Sequence, residues 1–131
     1  MFENQNVKTA RVLLAEDDET NRMVILAYLS ALPTLDLTVV EDGRAALESA
    51  TTNQFDLMIF DQNMPYITGD RVVRHLKASA SINANTPVIR LSADTAQTKD
   101  ASSETSRCIH LSKPLRQGDL IDTVKTLLPQ N

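Results

Sequence analysis

The chain of 131 residues has one cysteine, no tryptophan, two tyrosines and three phenylalanines. The single cysteine, Cys108, can neither close an internal disulfide nor assemble a zinc site by itself. So few aromatic rings leave little for stacking on nucleobases. A basic surplus is also missing. The 13 Lys and Arg against 17 Asp and Glu give a formal net charge of -4, the wrong sign for general nucleic-acid or anionic-membrane binding. The longest apolar run, 23–29, falls far short of the ~18 residues that cross a bilayer. The opening stretch, MFENQNVKTARV, has no apolar core of the kind a secretory signal needs. A cytoplasmic protein is expected, with no direct nucleic-acid and no membrane partner. What is present, 42% hydrophobic and 23% charged residues, suffices for an ordinary core in one domain spanning 1–131, with its folded part at about 11–128.

Short apolar runs alternate with helical periodicity along the whole chain. Residues 11–15 read as a strand buried on both faces and run straight into Glu16, Asp17 and Asp18. Asp18 is the natural N-cap of a helix to about Leu32, whose apolar face is Ile25, Tyr28, Leu29 and Leu32, stopped by Pro33. Further strands are expected over 37–40, 57–60, 88–92 and 108–111, and further helices over 45–51, 70–78 and 117–128. Alternation of this kind implies an α/β doubly wound fold, a parallel sheet with helices on both faces. The polar segment 94–107 has only Ala96 and Ala101 to bury, so a helix there is expected to be short or irregular.

In open parallel sheets, ligands sit beyond the carboxyl ends of the strands. At that edge the sequence places Glu16 and Asp17, Asp61, Ser92 and Lys113. Converging carboxylates repel one another without a counter-charge, and an all-oxygen acidic site suits Mg²⁺ or Mn²⁺. Together with a lysine and a hydroxyl, these are the parts of phosphoryl transfer to an aspartate. Asp18 alone is better explained by its capping role.

The stretches VLLAEDDETN (12–21), FDLMIFDQNMPYITG (55–69), TPVIRLSA (86–93) and HLSKPL (110–115) resemble the receiver domain of two-component response regulators, CheY-like and also found in hybrid histidine kinases. The resemblance implies a flavodoxin-like five-stranded sheet in the order 2-1-3-4-5. It implies that Asp61 accepts a phosphoryl group from the phosphohistidine of a histidine kinase or histidine phosphotransfer domain. Asp17 would then ligate Mg²⁺ directly and Glu16 through water, with the main-chain carbonyl of Asn63 as a further ligand. Ser92 and Lys113 would bind phosphoryl oxygens, with a cis bond between Lys113 and Pro114. Helix one near Asn21, Arg22 and Val24, with the Pro114-Leu115 loop, would dock the donor. The output would be a re-posed 94–115 surface, a signalling role rather than turnover of a substrate.

Three departures stand out. Glu16 replaces the commoner Asp, Ser92 the commoner Thr, and His110 sits where the family usually has a switching Tyr or Phe. An imidazole is smaller and can charge near neutral pH; an ordinary edge-of-sheet histidine is the alternative. Arg90, mid-strand with the parity of Ser92, needs a partner if buried, and Asp94, Asp100 and Glu104 are the candidates in 94–107. Two rival functions remain. One is a pseudo-receiver that binds partners without being phosphorylated. The other is an Asp-nucleophile phosphohydrolase, for which Asn63 supplies a poor acid two residues after Asp61. Acidic residues 16–18 exclude a flavin phosphate cradle.

Overall fold

The computed structural model describes residues 9–93 and 108–128. Strands β1 (Ala10–Ala15), β2 (Leu35–Val40), β3 (Leu57–Asp61), β4 (Val88–Ser92) and β5 (Cys108–Ser112) form one parallel sheet in the order β2-β1-β3-β4-β5. The described helices are α1 (Glu19–Leu29), α2 (Gly43–Thr52), α3 (Gly69–Ala78) and α4 (Gln117–Leu127). Both the expected topology and its order are present. The strand order reverses beside β1 and β3, so a crevice opens at their carboxyl ends.

The two-residue period of the strands divides the core. Val12 and Leu14, Leu57 and Ile59, and Ile89 and Leu91 point to one face, where they meet Ile25 and Leu29 of α1 and Leu120 and Val124 of α4. Leu13, Met58, Phe60 and Val88 point to the other, against Ala46 and Ala50 of α2 and Val72, Val73 and Leu76 of α3. Each fully buried side chain of this size stabilises by about 1.5–3 kcal/mol. Cys108 is buried in the second cluster, as a small apolar side chain would be.

Asp18 caps α1, accepting the Asn21 N–H at 2.8 Å, and Asp42 caps α2 through the Ala45 N–H at 2.8 Å. The first helix is shorter than its apolar periodicity suggested, ending at Leu29. The N–H groups of Ala31 and Leu32 donate to the carbonyls of Tyr28 and Leu29, so the chain tightens to a three-residue turn ahead of Pro33. Tyr28 and Leu32 pack at the margin of the core rather than inside it.

At the amino-terminal end of the sheet, the buried Asn83 joins two connections. It accepts the Phe55 N–H at 2.9 Å and the Thr86 hydroxyl at 2.9 Å, and it donates to the carbonyls of Ala50 and Asn53, both at 2.6 Å.

Arg90 is buried on the α3 face, where its Nη1 donates to Asp70 Oδ1 at 3.0 Å. Asp70 lies outside the segment 94–107 in which a partner is expected. Parity gave the face correctly, but the reach of the side chain carries it to the start of α3. The expected partners Asp94, Asp100 and Glu104, and the short or irregular helix over 94–107, lie outside the described residues. Among the described residues, no helix is long and apolar enough to cross a membrane.

Candidate metal centre

Two of the expected site residues, Glu16 and Lys113, and the neighbour of a third, Gln62 after Asp61, are placed by ladder hydrogen bonds that run one residue past the strands. The Glu16 N–H donates to the Val40 carbonyl at 3.1 Å, the Gln62 N–H to Leu91 at 2.8 Å, and the Lys113 N–H to Ser92 at 3.0 Å. Buried apolar strands thus hold a polar edge whose backbone is as fixed as their own. Asp61 is the last residue of β3 and is buried, and Ser92 is the last of β4 and is buried as well. The Lys113-Pro114 peptide bond is cis.

Glu16, Asp17 and Asp61 converge so that one carboxylate oxygen from each lies within 4.8 Å of the others. Glu16 is fully buried and Asp17 is exposed, so the cluster has a closed floor and an open mouth. Lys113 Nζ lies 3.1 Å from Asp61 Oδ1 and 3.7 Å from Glu16 Oε1. The Asn63 N–H also approaches Asp61 Oδ1, at 3.4 Å, which turns the loop after β3 back over the carboxylate. The Glu16 carbonyl accepts Arg22 Nη1 at 3.1 Å, and Glu16 Oε2 accepts the Asp18 N–H at 3.2 Å.

The loop can lie this close because of two glycines. A Cβ on Gly69 would sit 2.6 Å from the Asp61 carbonyl oxygen, and one on Gly43 would sit 1.8 Å from the Ile67 carbonyl oxygen. The Gly43 N–H donates to the Pro65 carbonyl at 3.2 Å, and the Arg44 guanidinium lies 4.5 Å from the ring centroid of Tyr66, whose φ is 74°. The start of α2 therefore clamps the loop that carries Asn63. An Asp-Gly pair after a strand signals a turn, but nothing in it says which distant backbone will press on the glycine.

The electrostatics of the cluster are unbalanced. Burial pushes the Glu16 carboxyl up to about 7, helped by the charge of Asp61 alongside it and opposed by the Asp18 N–H and by Lys113. Glu16 Oε1 is a buried oxygen with no hydrogen-bond donor. Such an atom needs a reason to be there. Three hard oxygen ligands, one of them under-satisfied, fit a small divalent cation that keeps several waters. His110 lies on β5 beside Arg90 of β4, one strand beyond the cluster, so it stands apart from the acidic residues.

Residues 12–125 match the family model described as "Response regulator receiver domain". The chain is similar to transcriptional regulatory protein PrrA of Mycobacterium tuberculosis, 34% identical over 126 residues that cover 93% of this chain and 51% of that protein. Among solved structures it is similar to the Francisella response regulator 1452 receiver domain, with 33% identity and a TM-score of 0.77 over 91% of this chain and 96% of that one. It is also similar to the receiver domain of sensor histidine kinase PA1611 from Pseudomonas aeruginosa PAO1, at 25% identity and a TM-score of 0.78 over 91% and 97% of the two chains. That structure has a magnesium ion coordinated in its active site cleft. The chain spans about half the length of PrrA and less of the longer sensor proteins it also matches.

Proposed function

The chain belongs to the response regulator receiver domain family, and from that premise we propose that it is a phosphoacceptor, taking a phosphoryl group onto Asp61 from the phosphohistidine of a histidine kinase or histidine phosphotransfer domain. The observation that carries this reading is the 3.1 Å contact between Lys113 Nζ and Asp61 Oδ1 inside a cluster of three carboxylates. A structural ion pair needs one acid, and the two further acids with an under-satisfied oxygen suit a cation beside the acceptor. Glu16, Asp17, Asp61 and the Asn63 carbonyl would hold Mg²⁺ or Mn²⁺, which when bound would neutralise charge on the transferring group.

In the transfer, a carboxylate oxygen of Asp61 bonds to phosphorus while the bond from phosphorus to the donor imidazole nitrogen breaks, and the electron pair leaves with that nitrogen. Lys113 already holds the carboxylate in place and lies where it can pair with a phosphoryl oxygen. Ser92, at the end of β4, offers its hydroxyl to another phosphoryl oxygen. The acyl phosphate carries about −1.5 to −2 charge where the carboxylate carried −1. Ser92 is then drawn toward it, and the 94–115 surface, with His110 on β5, is re-posed for an output partner. The exposed Met23 and Val24 of α1 lie on the helix that Tyr28 ties to the Leu115 carbonyl, a face suited to the donor. The protein is in this reading a signalling module rather than a turnover enzyme, because Asn63 offers no acid for a leaving group.

Intact-mass spectrometry after incubation with acetyl phosphate and MgCl₂ tests the reading. The wild type should gain one phosphoryl group, while Asp61→Asn and a chelated sample should gain none. No gain in the wild type, with no response to beryllofluoride, would make it a pseudo-receiver. Turnover of a generic phosphomonoester lost in Asp61→Asn would make it a hydrolase.

A further inference from the structure

The residue that follows Asp61 ties three elements together. The Gln62 N–H donates to the Leu91 carbonyl of β4, its carbonyl accepts the Gly69 N–H at 3.1 Å, and its side-chain Oε1 accepts the Asp70 N–H at 2.9 Å. The Asp70 carboxylate then divides its two oxygens, Oδ1 taking Arg90 Nη1 at 3.0 Å and Oδ2 taking Arg74 Nη2 at 2.6 Å. Arg74 is largely exposed, whereas the Arg90 side chain is only 9% exposed. A circuit therefore runs from the acceptor loop to the start of α3, across to Arg90, and along β4 to Ser92 two residues on, on the same face of the sheet.

Arg90 is an odd choice for that place. Its Cα partners are Phe60 on β3 and His110 on β5, its own face is otherwise filled by side chains such as Met58 and Val88, and its Nε has no hydrogen-bond partner. An apolar residue of similar length would avoid that cost. What the guanidinium adds is direction. It ties β4 to one carboxylate at a helix start already hydrogen-bonded to the residue next to Asp61.

We propose that Asp70 and Arg90 are positioning residues, whose ion pair fixes the end of β4, and with it the Ser92 hydroxyl, against the acceptor loop 61–69. This rests on the phosphoacceptor reading of Asp61. Neither residue touches the acidic cluster. The pair acts through the end of β4 and Ser92, where a displacement of a fraction of an ångström is enough to slow transfer.

The test is a double-mutant cycle on phosphorylation by acetyl phosphate at saturating Mg²⁺, with the maximal rate separated from the half-saturating acetyl phosphate concentration. Arg90→Met should lower the maximal rate about tenfold and leave Mg²⁺ affinity unchanged, since Glu16 and Asp61 are held by β1 and β3. On an Arg90→Met background, Ser92→Ala should cause little further loss, because the hydroxyl is already misplaced. Arg90→Lys should recover part of the rate. Arg90→Met leaves Asp70 with Arg74 and water, so the fold is expected to survive. Should it not, Asp70→Asn tests the other half of the pair, with the same non-additivity expected. A normal rate in the variants, or losses that multiply with Ser92→Ala, overturns the proposal. A wild type that takes up no phosphoryl group overturns the phosphoacceptor reading itself and this inference with it.

Discussion

Glu16 should make the metal-free stability of this chain depend on pH in a direction opposite to that of an ordinary salt-bridged carboxylate, and should make Mg²⁺ affinity rise steeply with pH. Its carboxyl is pushed up from 4.5 to about 7, first because it is buried and then because Asp61 is charged beside it. An acid with a raised folded pKa holds its proton more tightly in the folded chain than in the unfolded one. Its contribution to metal-free stability is therefore full below about 4.5 and is lost as pH rises through 7. Solvent reaches the cluster from the Asp17 side, so that loss is on the order of 1–2 kcal/mol. A divalent cation reverses the trend, because it binds the ionised form and must displace the proton. The ionised fraction of Glu16 climbs from about 3% near pH 5.5 to about three-quarters near pH 7.5, so the apparent Mg²⁺ affinity should rise about 25-fold, or ~1.9 kcal/mol.

Isothermal titration calorimetry with MgCl₂, repeated in buffers of different ionisation enthalpy, reads both the affinity and the protons released. About half a proton should leave per Mg²⁺ bound near pH 7. Glu16→Gln should remove most of the slope. In metal-free protein, thermal unfolding should show stability drifting down between about pH 5 and 7 in the wild type and not in Glu16→Gln. A wild-type affinity independent of pH, or a Glu16→Gln slope equal to the wild type's, would refute the assignment of the buried proton to Glu16.

Two further substitutions probe the supports of the site. Gly43→Ala puts a methyl group 1.8 Å from the Ile67 carbonyl oxygen, which only backbone movement can relieve. It should lower stability by about 2–4 kcal/mol in urea titrations, and it should weaken Mg²⁺ binding as well, because the displaced loop carries Asn63. Asn83→Ala strips partners from the Phe55 N–H and from the carbonyls of Ala50 and Asn53. A loss of about 2–4 kcal/mol is expected, with Mg²⁺ affinity measured well below the melting temperature unchanged, since Asn83 lies at the opposite end of the sheet. A weakened metal site in Asn83→Ala would show that the two ends are coupled.

Much of the fold was legible because its periodicities are strong. Val12 to Ala15 and Leu57 to Phe60 are continuous apolar runs that only a doubly covered sheet can bury, and the residues that end them are acidic. Read together, those two facts put Glu16, Asp17 and Asp61 at one edge before any coordinates. What was not legible depends on contacts between residues far apart in the chain. Arg90 gave its face by parity, but Asp70 is twenty positions away on a helix whose rotation the sequence does not specify. The pressure of Ile67 on Gly43 and the four hydrogen bonds of Asn83 are of the same kind, since a glycine after Asp and an Asn in a polar loop are ordinary local signals. A hint for Gln62 was available, because a side-chain carbonyl directly after Asp61 stands next to the unsatisfied N–H groups that open α3.

The two ends of the sheet treat buried polarity in opposite ways. At the amino-terminal end Asn83 is buried with both of its side-chain groups hydrogen-bonded, the condition expected where a polar residue serves stability. At the carboxyl end Glu16 is fully buried with one oxygen lacking a donor, next to a second buried carboxylate and opposite a single lysine. Selection for stability alone would replace such a residue with an apolar one or pair it fully. An excess of negative charge held by buried strands is a cost that a divalent cation would offset, and under the phosphoacceptor reading Lys113 would then pair with the incoming anion.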